Sequence, residues 1–202
     1  MKTSSLTPEA GGKLMRLATY ASVSVASILV IIKLAAWLFS DSVAVLSSLI
    51  DSSLDTVASL LTLLAVHHSI APADREHRFG HGKAESIAAL GQAAFITGSA
   101  IFLLFESSHR LLHPQPVIYG NLAITVMIIS VVLTFFLIQF QLYVARQTGS
   151  PAIKADSVHY KADLLVNGGI ILSLVLATRF GISLADPVIA IAVAGYILYS
   201  AW

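Results

Sequence analysis

Residues 43–66 read VAVLSSLIDSSLDTVASLLTLLAV, an apolar run that contains two acids, Asp51 and Asp55, and no basic residue. A helix needs about 20 mostly apolar residues to cross the roughly 30 Å hydrocarbon core of a bilayer. The run is long enough, so it predicts a membrane-spanning helix with two carboxylates inside the membrane. Because the acids are four residues apart, they lie on one face of that helix.

Apolar runs of similar character flank this helix on both sides. They cover residues 17–39, 86–105, 117–145, 152–180 and a shorter stretch at 187–202. The sequence therefore predicts an all-α membrane protein with six transmembrane helices joined by short loops. We expect residues 1–16 to form a cytoplasmic N-terminal segment and residues 17–202 to form the six-helix transmembrane domain.

The composition excludes several other classes of protein. Charged residues make up only 11% of the chain, against about 25% in soluble domains. The net charge of +1 argues against a basic surface for nucleic acid, and the 56% hydrophobic content argues against a disordered chain. With no cysteine, the chain has no disulfide framework, thiolate metal site or cysteine nucleophile.

The basic residues predict the orientation in the membrane, because cytoplasmic loops are enriched in lysine and arginine. One face would carry Lys2, Lys13, Arg16, Arg75, Arg78, Lys83, Arg146 and Lys154, and the other only Arg110 and Arg179. Both termini are therefore expected in the cytoplasm, and the protein in the plasma membrane, which in a bacterium is the inner membrane. Lys33, in the first helix, is expected to extend to the outer interface.

A second pair of polar residues, His159 and Asp163, also stands four apart, on the fifth predicted helix. At 1.5 Å per residue, Asp51 and Asp55 lie about 12 and 18 Å below the outer surface. His159 and Asp163 lie about 12 and 18 Å above the inner surface by the same rise. The two pairs are therefore predicted to meet near the middle of the bilayer.

Carboxylates at that depth cost roughly 2.5–3.5 kcal/mol each, even on the most lenient scale. One imidazole nitrogen and three carboxylate oxygens form a tetrahedral set suited to Zn²⁺. The same set accepts Cd²⁺, Fe²⁺, Co²⁺ or Mn²⁺. When the metal leaves, Asp51, Asp55, His159 and Asp163 would take up protons, so metal and protons would compete for the same atoms. The alternative is that the acids pair with Lys33 or Lys161, or face water without a function.

A weaker candidate lies in the loop after the second helix, in the stretch Asp74-Arg75-Glu76-His77-Arg78-Phe79-Gly80-His81-Gly82. Asp74, His77 and His81 are residue types that bind zinc. Because polar loops often contain such residues, the pattern alone leaves a second metal site and an ordinary surface loop about equally supported. His67 and His68, at the end of the second helix, are interpreted as interfacial residues.

These motifs resemble those of the cation diffusion facilitator family, in particular its bacterial zinc and ferrous-iron efflux pumps. The matching segments are Ser40-Asp41-Ser42, Asp51-x-x-x-Asp55, Phe79-Gly80-His81-Gly82-Lys83-Ala84-Glu85, His159-Tyr160-x-x-Asp163 and the closing Tyr196-Ile-Leu-Tyr-Ser-Ala. Their order and spacing match over nearly the whole chain. The resemblance implies a homodimer that exports a divalent metal in exchange for protons by alternating access.

The resemblance also assigns residues to sites. It implies that Asp51, Asp55, His159 and Asp163 form the transport site, and it favours a second zinc site at Asp74, His77 and His81. An aspartate at position 51 resembles members that carry both zinc and cadmium. Family members usually continue into a cytoplasmic metal-binding domain, whereas this sequence ends at Trp202. The chain is thus expected to be either a naturally short member or a truncated one.

Two other functional classes remain as alternatives. A metal-gated cation channel or a metal sensor would use the same ligands without coupling to protons. A membrane metalloenzyme is a more remote alternative, because it needs an open coordination position and a general base, and the His-Glu-x-x-His pattern is missing. We therefore expect a transporter, not an enzyme, whose partners are the lipid bilayer, protons and a second copy of the chain, with no nucleic acid.

Overall fold

The fold was taken from a computed structural model that describes residues 7–40, 43–75, 77–112, 121–180 and 184–201. Within these ranges all regular structure is α-helical. The helices are α1 (Pro8–Ser40), α2 (Val43–Ser69), α3 (Lys83–Leu112), α4 (Asn121–Thr148), α5 (Pro151–Phe180) and α6 (Ala185–Ala201). The prediction of an all-helical fold is confirmed, whereas Asp41, Ser42, Glu76 and Trp202 lie outside the described residues.

Helices α1 to α5 are long and apolar enough to cross a membrane, and α6 is apolar but shorter, with 17 residues. Helix α1 begins at Pro8, well before the apolar run that starts at residue 17, because polar residues cap its end. The Thr7 hydroxyl accepts a hydrogen bond from the Ala10 amide at 3.3 Å. Pro8 and Glu9 then occupy the first turn, where a proline and an acid are favourable.

A tight turn joins α4 to α5 and sets the direction in which α5 starts. Gly149 has a φ of 70°, a left-handed conformation that ends α4 and that a glycine adopts without strain. The Ser150 hydroxyl accepts a hydrogen bond from the Ile153 amide at 3.3 Å, so Ser150 caps α5. Pro151 is the first residue of α5, a position that suits proline because no intrahelical partner for a backbone N–H exists there.

The helices pack as a bundle around several small apolar clusters. One cluster includes Ala18, Val66, Val144 and Ile153, and another combines Ala36, Val45 and Val126. Helix α1 packs mainly on α2 and α4, and α3 mainly on α6, while α2 and α5 contact each other over only a short stretch. Many large apolar side chains point outward, as expected for helices that face lipid; examples are Leu38, Leu64 and Phe102.

The interior of the bundle contains a polar network centred on Asp156 of α5, which is 1% exposed. Its Oδ2 accepts hydrogen bonds from the Ser22 hydroxyl and the Gln141 amide, both at 2.6 Å. Its Oδ1 accepts one from the Gln92 amide at 3.0 Å, and Gln92 also donates to the Thr62 hydroxyl at 2.9 Å. The carboxylate thereby ties α5 directly to α1, α3 and α4, and through Gln92 to α2.

The network predicts a large difference between two substitutions of Asp156. In Asp156→Leu the donors of Ser22, Gln92 and Gln141 lose their buried acceptor, at about 1–3 kcal/mol for each unsatisfied group. In Asp156→Asn the side chain keeps an acceptor, and the new amide can donate to Gln92 or Gln141, whose Oε1 atoms are buried without a partner. We expect Asp156→Leu to lower the free energy of unfolding in detergent by about 3–5 kcal/mol. Equal loss in both variants would contradict this assignment.

Candidate metal centre

The centre of the site is a contact between α2 and α5. His159 is 3% exposed, and its Nε2 lies 3.1 Å from Oδ1 of Asp55 and 3.7 Å from Oδ2 of Asp163. One ligand atom from each of the three residues lies within 4.8 Å of the others. Three of the four residues predicted for the transport site therefore come together, from helices far apart in the sequence.

Neighbouring side chains hold the imidazole in place. The ring of Phe95 on α3 packs edge-on against the His159 ring, with centroids 5.5 Å apart. The next residue, Tyr160, shares a 2.6 Å hydrogen bond with the Ser59 hydroxyl, which joins α5 to α2 directly beside the cluster. His159 therefore lies between a fixed aromatic ring and a fixed helix pair, which limits its rotation.

Asp51, the fourth predicted ligand, is not part of this cluster. It lies one turn before Asp55 on α2 and is exposed. It remains within electrostatic reach of Asp55 and of Lys33. Its role as a ligand thus stays a prediction.

The residues present suit a divalent metal cation. Oδ2 of Asp163 is buried and has no hydrogen-bond partner among the described residues, since Nε2 of His159 is 3.7 Å away. A buried acceptor left in this way carries a desolvation cost that a cation would remove. The combination of an imidazole nitrogen with carboxylate oxygens fits zinc and similar transition metals better than magnesium or calcium.

The expectation for Lys33 was wrong. It does not extend to the outer interface: the residue is 5% exposed, and its Nζ donates to the Ser52 hydroxyl at 2.6 Å and to the Ser48 carbonyl at 3.2 Å. The acids Asp51, Asp55 and Asp163 lie within its electrostatic reach. Snorkelling describes a lysine on a helix facing lipid, whereas here α2 covers the side chain and supplies its hydrogen bonds.

Lys161, the other lysine considered as a partner for the acids, contacts α6 instead. Its Nζ donates to the Tyr196 hydroxyl at 2.7 Å and lies 5.1 Å from the centre of that ring, on α6. Of the two lysines considered as partners for the acids, only Lys33 is directed toward them. With Lys33 protonated and Asp51, Asp55 and Asp163 ionised, the net charge of these four residues is equal and opposite to that of a divalent cation.

The second candidate site is also assembled, in the segment between α2 and α3. Oδ1 of Asp74 lies 3.3 Å from Nδ1 of His77, and Oδ2 lies 3.4 Å from Nε2 of His81. Ligand atoms of these three residues lie within 4.8 Å of one another. Gly80 has a φ of 79°, and this left-handed residue lets the chain turn so that both histidines face Asp74.

Sequence reasoning assigned no role to Asp156, although it is the centre of the buried network. The available signal was its spacing, since a residue three before His159 shares a helix face with it. Polar residues in other apolar runs, Ser22, Gln92 and Gln141, gave a second signal. Gln92 could have faced water or another helix, and the structure shows that it bonds to α2 and α5.

Glu85 lies in the first turn of α3 and makes contacts outside that helix. Its Oε1 accepts a hydrogen bond from the Ser69 hydroxyl at 2.8 Å, and its Oε2 accepts one from the Ser150 hydroxyl. Glu85 therefore joins the end of α2 to the starts of α3 and α5. This contact closes the bundle on the side where the loop cluster lies.

Comparison with known proteins places this sequence in a family. Residues 19–202 match the family described as the cation efflux transmembrane domain. The cation-efflux pump FieF of Pectobacterium carotovorum is 46% identical over 189 residues, which are 94% of this chain and 63% of that protein. Pumps of the same name from Shewanella oneidensis and Klebsiella pneumoniae are 46% and 44% identical over 183 and 190 residues. These matches cover 91% and 94% of this chain and 62% and 63% of the two pumps.

The chain thus spans less than two thirds of the length of these relatives, and the match covers almost all of its own residues. The matched region includes both clusters of ligand residues. The chain belongs to the cation diffusion facilitator family, as a multi-pass protein of the bacterial inner membrane that contains the family's cation efflux transmembrane domain.

Proposed function

We propose that this protein exports a divalent metal cation, chiefly Zn²⁺, from the cytoplasm in exchange for protons. The observation that carries the proposal is the cluster of Asp55, His159 and Asp163 inside membrane-spanning helices, with an unpartnered carboxylate oxygen on Asp163. Relatives named cation-efflux pumps support the direction of transport. Cd²⁺, Fe²⁺, Co²⁺ and Mn²⁺ fit the same ligands and are secondary substrates in this proposal.

Asp51 completes a tetrahedral set of one histidine and three aspartates in this proposal. Asp51 and Asp55 share a face of α2 because they are one turn apart. The contact between α2 and α5 is short, so a small shift of one helix along the other changes the distance from Asp51 to His159. Binding of Asp51 to the ion as the fourth ligand would require such a shift. Metal binding would thereby be coupled to helix movement, as alternating access requires.

Proton coupling follows from the hydrogen bond between His159 and Asp55. Nε2 and Oδ1 are 3.1 Å apart, so one proton lies between them, whichever of the two carries it. A metal that binds Nε2 must displace that proton, because a protonated nitrogen has no lone pair for a ligand bond. Metal and proton therefore compete for Nε2. A proton displaced from a neutral imidazole can move to Nδ1, so in this proposal the protons exchanged for the metal come from the protonated form of the cluster, an imidazolium or a carboxylic acid.

The topology that we propose has six spans with both termini in the cytoplasm. Helix α6 has 17 residues, close to the lower limit of about 17 for a spanning helix, and it packs along α3 and α5. Six antiparallel spans place both ends on the side of the loop between α2 and α3, which carries Arg75, Arg78 and Lys83.

The loop cluster of Asp74, His77 and His81 is proposed as a second zinc site, separate from the transport path. It lies at the cytoplasmic end of α2 in this topology and would hold the segment between α2 and α3 in one conformation.

We further propose that the working unit is a homodimer. In this proposal the N-terminal segment consists of residues 1–16, and the transport domain consists of residues 17–202.

Transport in proteoliposomes tests the proposal. A pH gradient is expected to drive Zn²⁺ movement by the intact chain, and Asp55→Ala or His159→Ala should reduce it to the rate of empty liposomes. Glu9→Ala is a matched control, because Glu9 is an exposed acid on α1 that pairs with Lys13. Full flux in both site variants would refute the site, and fast flux that ignores pH would favour a metal-gated channel.

Substitution of Lys33 tests the electrostatics of the site. Lys33→Met removes a positive charge that faces the acids, so the affinity of the site for Zn²⁺ should rise about tenfold, equivalent to about 1.4 kcal/mol. Lys33→Arg retains the charge and should leave the affinity near that of the unmodified protein. Competition with a zinc-binding dye gives the two affinities. Weaker binding in Lys33→Met, in a protein that melts normally, would contradict the prediction.

A further inference from the structure

The loop cluster supplies three ligand residues, whereas a structural zinc site is nearly always four-coordinate. Asp74, His77 and His81 bring ligand atoms within 4.8 Å of one another. Asp74 contacts both histidines, one with each carboxylate oxygen. A fourth ligand is required from outside this group if the site is to be closed to water.

An additional imidazole lies beside the cluster, on the last turn of α2. The ring of His68 packs edge-on against that of His81, with centroids 4.3 Å apart, and the ring of His77 lies 4.6 Å from the same ring. His81 is thus in contact with two other histidines. Three imidazoles and one carboxylate are gathered where α2 ends and α3 begins.

The contacts of His81 are incomplete. It is 8% exposed, and while its Nε2 faces Asp74, its Nδ1 is buried with no hydrogen-bond partner. A buried ring nitrogen without a partner is costly, and adjacent imidazoles repel each other once they are protonated. A bound cation removes the second cost, because a ring that gives a lone pair to a metal stays neutral, and it removes the first as well if it binds through Nδ1.

We propose that His68 is the fourth ligand of the loop site, so that Asp74, His68, His77 and His81 together enclose one zinc ion. This inference rests on the loop site proposed above. Zinc bonds of about 2.0–2.1 Å put tetrahedral ligand atoms roughly 3.4 Å apart. Ligand atoms of Asp74, His77 and His81 lie within 4.8 Å of one another, whereas His68 lies outside that group and has to turn a ring nitrogen toward it. His68 is exposed, and its side chain is free to rotate toward the ion.

The consequence is a metal clamp between two helices. His68 belongs to α2, whereas His81 stands two residues before the first residue of α3. An ion bound by both would fix the angle at which the loop leaves α2, next to the contact of Glu85 with Ser69. The site would take a borderline cation such as Zn²⁺, because three nitrogens and one oxygen are poor ligands for magnesium or calcium.

His67 provides a matched control. It is also an exposed histidine, but adjacent residues on a helix point about 100° apart. The experiment uses the full chain with Asp55→Ala and His159→Ala, which disable the transport site, loaded with one equivalent of Zn²⁺. X-ray absorption at the zinc edge then counts imidazole ligands, and competition with a dye gives the affinity.

We expect three imidazoles in this background, two after His68→Ala, and three after His67→Ala. Zinc affinity should fall about 10- to 100-fold in His68→Ala and stay unchanged in His67→Ala. If His81→Ala abolishes binding while His68→Ala retains the imidazole count, the loop site stands and His68 is not its ligand. If His81→Ala also has no effect, there is no loop site, whereas the transport proposal is tested separately by flux.

Discussion

The cost of placing carboxylates inside a hydrocarbon layer is the constraint on which this structure depends. Each ionised acid at that depth needs donors, a counter-charge or a proton. Asp156 has donors from Ser22, Gln92 and Gln141, so it is satisfied by neutral groups. Asp55 and Asp163 have His159 and the charge of Lys33 instead. The two acids therefore differ: both oxygens of Asp156 accept hydrogen bonds, whereas Oδ2 of Asp163 accepts none from the described residues.

This difference separates a structural acid from the acids of the site. The Asp156 network connects α5 to α1, α3 and α4, so it stabilises the frame in which His159 is held. The cluster one turn further along α5 has short contacts to α2 and an incomplete set of partners. This arrangement suits the carrier function proposed above, in which the cluster exchanges protons and metal while the helices keep their packing.

The helices were largely predictable because their signals are local. Apolar length marked each of the described helices but not all of their ends: α1 begins at Pro8, ahead of the apolar run at residue 17, and α3 extends to Leu112, beyond the run that ends at residue 105. The pairing of Asp55 with His159 and Asp163 was predictable too, because a fixed rise per residue converts sequence position into depth. The orientation of Lys33 was not predictable, because it depends on which helix covers it. A hydrogen bond to Ser52 outweighs snorkelling only after α2 has packed on α1.

By itself the sequence determined the class of protein, its apolar helices and the positions of the candidate ligand residues along them, since these follow from composition and from the geometry of a single helix. Only the tertiary structure decided which ligands meet and which do not. It joined Asp55, His159 and Asp163 while leaving Asp51 one turn away, directed Lys33 inward, and brought His68 against His81. These outcomes depend on the rotation and offset of packed helices, which arise from contacts between distant residues and have no local signal in the chain.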